Sequence, residues 1–125
     1  MRKNTPVREW MSRLPVEIEE TRPVAEAHEI MEQGRVRHLP VMQGSHLTGI
    51  VSLHDLDAAR AAGELERPVG EIGPRTVLTV SPTETLPKVC QRMAEEGVGS
   101  AVIVDGTVVV GIFTASDAVR FLAAI

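Results

Sequence analysis

The feature that most constrains the fold is an internal repeat with a period of 62 residues. When the sequence is shifted by 62 positions, its two halves align without a gap. The identical pairs include Val7 with Val69, Met31 with Met93, Gly49 with Gly111 and Asp55 with Asp117. Two copies are too few for a solenoid, which needs at least three. We therefore expect a closed pair with pseudo-twofold symmetry, in which each copy buries the same surface against the other.

Each copy is predicted to form the element order β-α-β-β-α behind a short leading helical segment. In the second copy Thr83 is the expected helix cap, and the apolar spacing of a helix continues to Glu96. Two apolar runs then flank Asp105-Gly106, which is typical of a β-hairpin. The last helix is predicted over 115–124, with its buried side formed by Ala118, Val119, Leu122 and Ala123. The predicted fold class is α/β (α+β).

The first copy follows the same pattern. Strands are predicted over 16–18, 39–42 and 47–51, and helices over 23–33 and 53–62. Gly34 is expected to end the longer helix. The linker over 63–68 is too short to let the copies separate. We therefore predict repeats 1–62 and 63–125 that together form one module, with no other domain appended.

Composition excludes several classes of protein. Cys90 is the single cysteine, so no internal disulfide can form and a reducing, cytoplasmic location is expected. No run of about 18 apolar residues occurs, so we expect no membrane span. The net charge is −4 and aromatic residues make up 2% of the chain, which argues against a nucleic-acid partner.

A hydroxyl residue and an acid mark the point where an apolar strand becomes a helix in each copy, as Ser52-x-x-Asp55 and Thr114-x-x-Asp117. This spacing is close to a helix capping box, and an acid in the first turn suits the helix dipole. The strict box prefers Glu or Gln, so we expect the shorter Asp side chain to reach outward. A carboxylate can accept both hydroxyls of a cis-diol, and a helix N-terminus can bind phosphate. The cap and ligand roles both stay open.

Basic residues gather in the first copy, as Arg35, Arg37, His38 and His54. The second copy carries instead Gly97, Gly99, Ser100 and Ser116. A phosphate needs cations, so a phosphorylated ligand would favour the first copy. The structural alternatives are a solvated turn for the two arginines and a core histidine bonded to the backbone for His38.

These stretches resemble the CBS domain family, and the tandem resembles the CBS pair known as a Bateman module. The resemblance is carried by 7–11, 38–42, 49–55, 100–105 and 111–117. It implies a regulatory module that binds adenine nucleotides or related adenosyl ligands and that forms a homodimer. It also implies that Asp55 and Asp117 receive ribose hydroxyls, while the hydroxyl residue of each copy faces phosphate. The phosphate-binding candidates are therefore Ser52, Thr114, Arg35, Arg37, His38 and His54.

Adenine needs apolar walls and backbone groups rather than charged side chains. The first-copy candidates for these walls are Leu14, Val16, Leu39 and Pro40. The second-copy candidates are Thr76, Val77, Leu78, Ala101 and Val102. No metal site is expected, because the histidines and the cysteine show no close ligand spacing.

The predicted function is a non-enzymatic sensor of AMP, ADP, ATP or an adenosyl-methionine type of ligand. Binding in the cleft between the copies would favour one relative orientation, which a separate and unknown effector protein reads. No cofactor is required. Two alternatives stay open: a ligand-free interaction or scaffold module with degenerate clefts, and a metal-binding stress protein. The sequence contains neither a Walker loop nor a glycine-rich dinucleotide motif, so these motifs give no indication of an enzyme.

Overall fold

The chain is divided between two compact units that exchange their leading segments. The structure is a computed structural model that describes residues 4–73 and 76–125. Residues 16–77 form what we call the first-repeat unit. Residues up to 15 and residues 78–125 form the second-repeat unit. The leading segment of each sequence repeat therefore lies in the unit built mainly from the other repeat, and the repeat boundaries of 1–62 and 63–125 stay a prediction about the sequence.

The described residues contain the predicted order of elements in both copies, which confirms a mixed α/β fold. The strands are β1 (Ser12–Arg13), β2 (Ile18–Glu19), β3 (His38–Gln43), β4 (His46–Ser52), β5 (Thr79–Val80), β6 (Ser100–Asp105) and β7 (Val108–Thr114). The helices are α1 (Val24–Gly34), α2 (Leu53–Ala61), α3 (Leu86–Glu96) and α4 (Ala115–Ala124). Single 3-10 turns lie at Val7–Glu9 and Val69–Glu71.

The first-repeat unit is a three-stranded sheet covered by two helices. Strand β2 runs parallel to β3, and β3 pairs antiparallel with β4. The core is formed by fully buried apolar side chains, among them Met31, Leu39, Val51, Leu56 and Val69. Since β4 runs directly into α2, the pairing of His38 with Ser52 places the start of β3 beside the N-terminus of that helix.

The second-repeat unit has a four-stranded sheet in the order β1-β7-β6-β5. Its core includes Phe113, Phe121 and the leading residue Val7. Strand β1 lies so close to β7 that a Cβ atom added to Gly111 would lie 2.7 Å from the Ser12 carbonyl oxygen. Glycine at position 111 therefore allows the leading segment to join this sheet.

Four helix termini differ from the predictions by one or two residues: both ends of α1, the end of α2 and the start of α3. Gly34 is the last residue of α1, and Arg35 takes the left-handed conformation with φ of 52°. In α1 the left-handed residue is therefore Arg35, and the prediction that Gly34 ends this helix is wrong by one position. In α3 the left-handed residue is Gly97. The N-cap of α3 is Thr85 rather than Thr83, and its side chain makes no capping bond.

The predicted buried side of α4 is wrong for three of its four residues, because only Ala118 packs against the core. Val119 is 64% exposed and Leu122 is 62% exposed, and Ala123 is exposed as well. Phe121 is buried instead, and its ring meets the ring of Trp10 edge-on at 5.2 Å. The large ring and the tryptophan of the leading segment therefore set the face that the helix buries, which leaves a small apolar patch in solvent.

Candidate functional site

Ser52 and Asp55 form a complete capping box at the N-terminus of α2. The Asp55 amide donates to Ser52 Oγ at 3.1 Å, and the Ser52 amide and hydroxyl donate to Asp55 Oδ2 at 2.9 and 2.8 Å. The expectation that the aspartate reaches outward is therefore wrong for Oδ2, which folds back onto the turn. Among residues 4–73 and 76–125, nothing donates to Oδ1 of Asp55. One carboxylate oxygen is thus left for an outside donor.

Thr114 and Asp117 form the same box at the N-terminus of α4, but there the carboxylate is fully engaged. The Thr114 amide and hydroxyl donate to Asp117 Oδ2 at 2.8 and 3.1 Å. Arg120 Nη2 donates to the other oxygen, Oδ1. Asp117 is only 3% exposed. The two acids that the sequence places in equivalent positions therefore differ in what they can offer a ligand.

A cavity of about 320 Å³ lies beside Asp55 in the first-repeat unit. Its lining residues are Asp55, Ala58, Ala59, Ala62, Glu64, Glu71, Ile72 and Gly73. Gly73 has φ of +79°, and a Cβ atom there would lie 2.9 Å from the Ile50 carbonyl oxygen and 3.2 Å from Asp55 Oδ2. Only glycine lets the backbone pass this close to the acid.

The glutamates of this cavity are already paired with a cation. Arg67 donates to Glu64 at 2.7 Å and to Glu71 at 3.0 Å. The hydrogen bond to Glu64 is the largest cause that raises the pKa of the Arg67 guanidinium, and the hydrogen bond to Glu71 is the next largest. Asp55 is therefore the lining carboxylate that has no basic partner among the described residues.

Three of the predicted basic residues, Arg37, His38 and His54, lie at the N-terminal end of α2. His38 pairs with Ser52 across the sheet, and the Leu53 amide donates to the Arg37 carbonyl at 2.8 Å. His54 is exposed in the first turn of the helix, and Arg35 lies in the turn before β3. Arg35 and Arg37 are also exposed, while His38 is half-buried. This end of α2 therefore combines the positive end of the helix dipole with several basic side chains.

The predicted adenine-wall residues are distributed over both compact units. In the first-copy set, Leu39 and Pro40 are buried and Val16 is exposed in the first-repeat unit, whereas Leu14 lies in the second-repeat unit. In the second-copy set, Thr76 and Val77 lie in the first-repeat unit. Buried positions in the second-repeat unit are taken by Leu78, Ala101 and Val102. Their role as walls stays a prediction.

The sequence reasoning missed the apolar lining of the cavity beside Asp55. Ala58, Ala59 and Ile72 form this wall. One signal was available, because the aligned residues of the other copy are Arg120, Phe121 and Trp10. A consistent exchange of large side chains for small ones next to a repeated acid indicates a cavity in one copy.

Other polar groups of the described chain do not assemble into a second centre of this kind. His28 Nε2 lies 3.1 Å from Asp57 Oδ1, between α1 and α2. No group of three His, Cys, Asp or Glu residues that could hold a metal ion occurs within 4–73 and 76–125. Over the same ranges, no helix is long and apolar enough to cross a membrane.

A second cavity of about 260 Å³ lies in the second-repeat unit, where β5 and β6 end. Thr79, Ser81, Glu84 and Arg92 contribute its polar lining. Arg92 is paired with Glu84 at 3.2 Å. Thr114 lies at the opposite end of the sheet, opposite Ser100 at the start of β6, so this cavity is separate from the α4 capping box.

Solved structures with the same fold include a domain pair bound to adenosyl compounds. The CBS domain pair of protein MJ0100, in complex with 5′-methylthioadenosine and S-adenosyl-L-methionine, is 27% identical with a TM-score of 0.79. The alignment covers 96% of this chain and 97% of that one. A putative acetoin utilization protein (AcuB) from Vibrio cholerae is 31% identical with a TM-score of 0.77, covering 97% of this chain and 93% of that one.

The similar curated proteins are much longer than this chain. L-aspartate semialdehyde sulfurtransferase from Methanocaldococcus jannaschii is 28% identical over 93% of this chain, which spans 23% of that protein. Homoserine O-acetyltransferase from Methanocorpusculum labreanum is 31% identical over 79% of this chain, which spans 20% of that protein. The CBS domain family matches the sequence at residues 7–62 and again at 69–124. The chain therefore belongs to the CBS domain family and carries two CBS domains in tandem.

Proposed function

We propose that this chain is a regulatory module that binds an adenosyl ligand beside Asp55 and signals the bound state to a separate effector protein. The observation that carries this proposal is that Oδ1 of Asp55 accepts from no donor among the described residues, while Asp55 itself lines a cavity. A carboxylate oxygen in such a place is suited to accept ribose hydroxyls. The MJ0100 pair, which is 27% identical, binds two adenosyl compounds.

Apolar, acidic and polar positions follow one another along α2 in an order that matches the base, ribose and polar group of an adenosyl ligand. Small apolar side chains lie along the helix beyond Asp55, at Ala58, Ala59 and Ala62. On the other side of the acid, the N-terminus of α2 carries Ser52 and His54. We therefore place an apolar group in the cavity, ribose at Asp55 and a phosphate or other polar group towards the helix N-terminus.

The basic residues at this end suit a phosphorylated ligand. Arg35, Arg37 and His54 are exposed, so they are available to a phosphate. The cavity end of the site carries Glu64 and Glu71, which disfavour a second anionic group there. AMP, ADP, ATP, S-adenosyl-L-methionine and 5′-methylthioadenosine are accordingly the ligands to compare.

The experiment is a thermal-unfolding panel with these five ligands and with Zn²⁺. A ligand at 100 times its Kd stabilises the native state by about 2.7 kcal/mol. For a chain of 125 residues this raises the Tm by several degrees. Asp55→Asn keeps an acceptor for the Ser52 amide but lacks the carboxylate, so the shift should be lost. Asp57→Asn, on the same helix and outside the cavity, should keep it.

Several outcomes of this panel would contradict the proposal. The absence of a shift with all five adenosyl ligands would favour the interaction or scaffold alternative. A shift with Zn²⁺ alone would favour the metal-binding alternative. An equal shift in wild type and Asp55→Asn would place the ligand elsewhere in the molecule.

We further propose that the module is a homodimer and that the exposed apolar patch of α4 contributes to its interface. Val119 and Leu122 stand one helical turn apart on this patch, and both are more than half exposed. Burying such a surface against a second copy is favourable because it removes apolar area from water. A cytoplasmic location remains the prediction made from the single cysteine, Cys90.

A further inference from the structure

The two copies differ in a consistent way around the capping-box acid. Under the shift of 62 residues, Ala58 is matched by Arg120, Ala59 by Phe121, Ile72 by Trp10 and Gly73 by Met11. At each of these positions the side chain beside Asp55 is smaller than the side chain beside Asp117. The two copies therefore allow a direct comparison of equivalent sites, with small side chains around Asp55 and large side chains around Asp117.

Large side chains occupy the site around Asp117 in the second-repeat unit. Arg120 donates to Asp117 Oδ1, while Thr114 uses Oδ2. The rings of Trp10 and Phe121 meet at 5.2 Å with an interplanar angle of 84°. The carboxylate is left with no oxygen that lacks a donor, and it is almost completely removed from solvent.

In the first-repeat unit, the positions equivalent to Arg120 and to the two aromatic residues hold neither an arginine nor an aromatic ring. Ala58 stands where Arg120 stands relative to its acid, three residues further along the helix. The space is present as the cavity of about 320 Å³, and Asp55 is part of its wall. The same backbone arrangement thus leaves one acid accessible and covers the other.

We infer that Arg120 is a built-in occupant of the second copy's acid site, so that the chain binds its adenosyl ligand at Asp55 alone, one ligand per chain. The inference rests on the proposed function. A ligand hydroxyl that displaced Arg120 would replace a donor with a full positive charge by a neutral donor, so the buried Asp117 carboxylate would lose its compensating charge. No such exchange is needed at Asp55.

The test transfers the arginine to the first copy. Ala58→Arg places a guanidinium three residues after Asp55, and because Ala58 is exposed the core is not disturbed. Ala61→Arg is the matched control, since it makes the same change at an exposed position of the same helix outside the cavity. Asp117→Asn removes the second acid. Equilibrium dialysis with labelled 5′-methylthioadenosine, and separately with labelled AMP, measures the number of ligands bound per chain.

We expect about one ligand per chain for wild type, for Ala61→Arg and for Asp117→Asn, with affinity at least tenfold lower for Ala58→Arg. Two ligands per chain in wild type, or unchanged binding by Ala58→Arg, would overturn the inference while leaving the proposed function standing. A wild-type chain that binds none of the five adenosyl ligands would overturn both. The wild-type and Asp117→Asn stoichiometries decide the question even if Ala58→Arg folds poorly.

Discussion

At the scale of single residues, the difference between Asp55 and Asp117 comes down to one oxygen atom. Both acids give Oδ2 to a capping box, which stabilises the helix N-terminus by about 1 kcal/mol. Arg120 takes the remaining oxygen of Asp117, whereas Oδ1 of Asp55 accepts from no described residue, and Asp55 lines a cavity together with small side chains. Capping and ligand binding are therefore compatible in one copy, because they use different oxygens of the same carboxylate.

The thiol of Cys90 should react slowly in the native protein. Partial burial raises the pKa of Cys90 above its ordinary value, so the folded chain holds less thiolate than the unfolded chain at a given pH. We expect iodoacetamide to modify Cys90 several-fold more slowly in buffer at pH 8 than in concentrated urea at the same pH. Equal rates in the two conditions would contradict this account of its environment.

The same shift predicts the direction of a pH effect on stability. Because the pKa of Cys90 is higher in the folded state, its contribution to stability is complete below the ordinary cysteine pKa. It is lost as the pH rises from that value through the folded-state pKa. Cys90→Ala should therefore show a smaller loss of Tm between pH 8 and pH 10 than wild type does. A larger loss in the variant would show that the sign is wrong.

At the scale of elements, the contact of β1 with β7 depends on Gly111. An added Cβ would lie 2.7 Å from the Ser12 carbonyl oxygen, so the backbone of one strand would have to move. We expect Gly111→Ala to lower the free energy of unfolding by about 1–3 kcal/mol, as overpacking does in other cores. Urea denaturation measures this change.

Gly99 provides the matched control for that substitution. A Cβ atom at Gly99 has no neighbour within 4 Å among the described residues, and its φ is not positive. Gly99→Ala should therefore change the free energy of unfolding by no more than about 0.5 kcal/mol. If the two variants were equally stable, the close approach of β1 to β7 would not hold in solution.

The apolar patch on α4 leads to a prediction about assembly. Val119→Asp combined with Leu122→Asp would place two charges on a surface that the proposed dimer buries. Light scattering should show a dimer for wild type and a monomer for the double variant. Asp57→Ala combined with Arg60→Ala changes exposed positions of α2 and serves as the control. A dimeric double variant would exclude this patch from the interface.

The periodicity of the sequence was enough to predict the helices and hairpin strands, and α4 was predicted residue for residue. It was not enough to identify the buried side of α4, because alanine, valine and leucine occur on several sides of that helix. Trp10 decides the buried side, and it is more than 100 residues away in the chain. Contacts at such separation leave no local pattern.

The candidate site shows the same limit. The paired Ser52 and Asp55 could be recognised from the sequence, because capping boxes are local. The cavity could not, since its wall combines α2 with the segment at Ile72 and Gly73 that follows the 3-10 turn. The alanines of α2 are unremarkable helix formers until that segment is placed beside them.

At the scale of the whole molecule, the exchanged leading segments tie the two sequence repeats together. The chain passes between the compact units at 15–16 and again at 77–78, although the repeats meet near residue 62. Val7 is fully buried in the core of the second-repeat unit, and Val69 is fully buried in that of the first-repeat unit. Each unit therefore needs residues from both sequence repeats to complete its core.

The central claim is that an adenosyl ligand binds beside Asp55, and NMR titration of the amide-labelled chain tests it most directly. Addition of 5′-methylthioadenosine or AMP should shift amide resonances over residues 52–59 and at Ile72 and Gly73, while those of Thr114 to Asp117 stay in place. Shifts centred on Asp117 and its helix, or no shifts with any of the five adenosyl ligands, would contradict the claim.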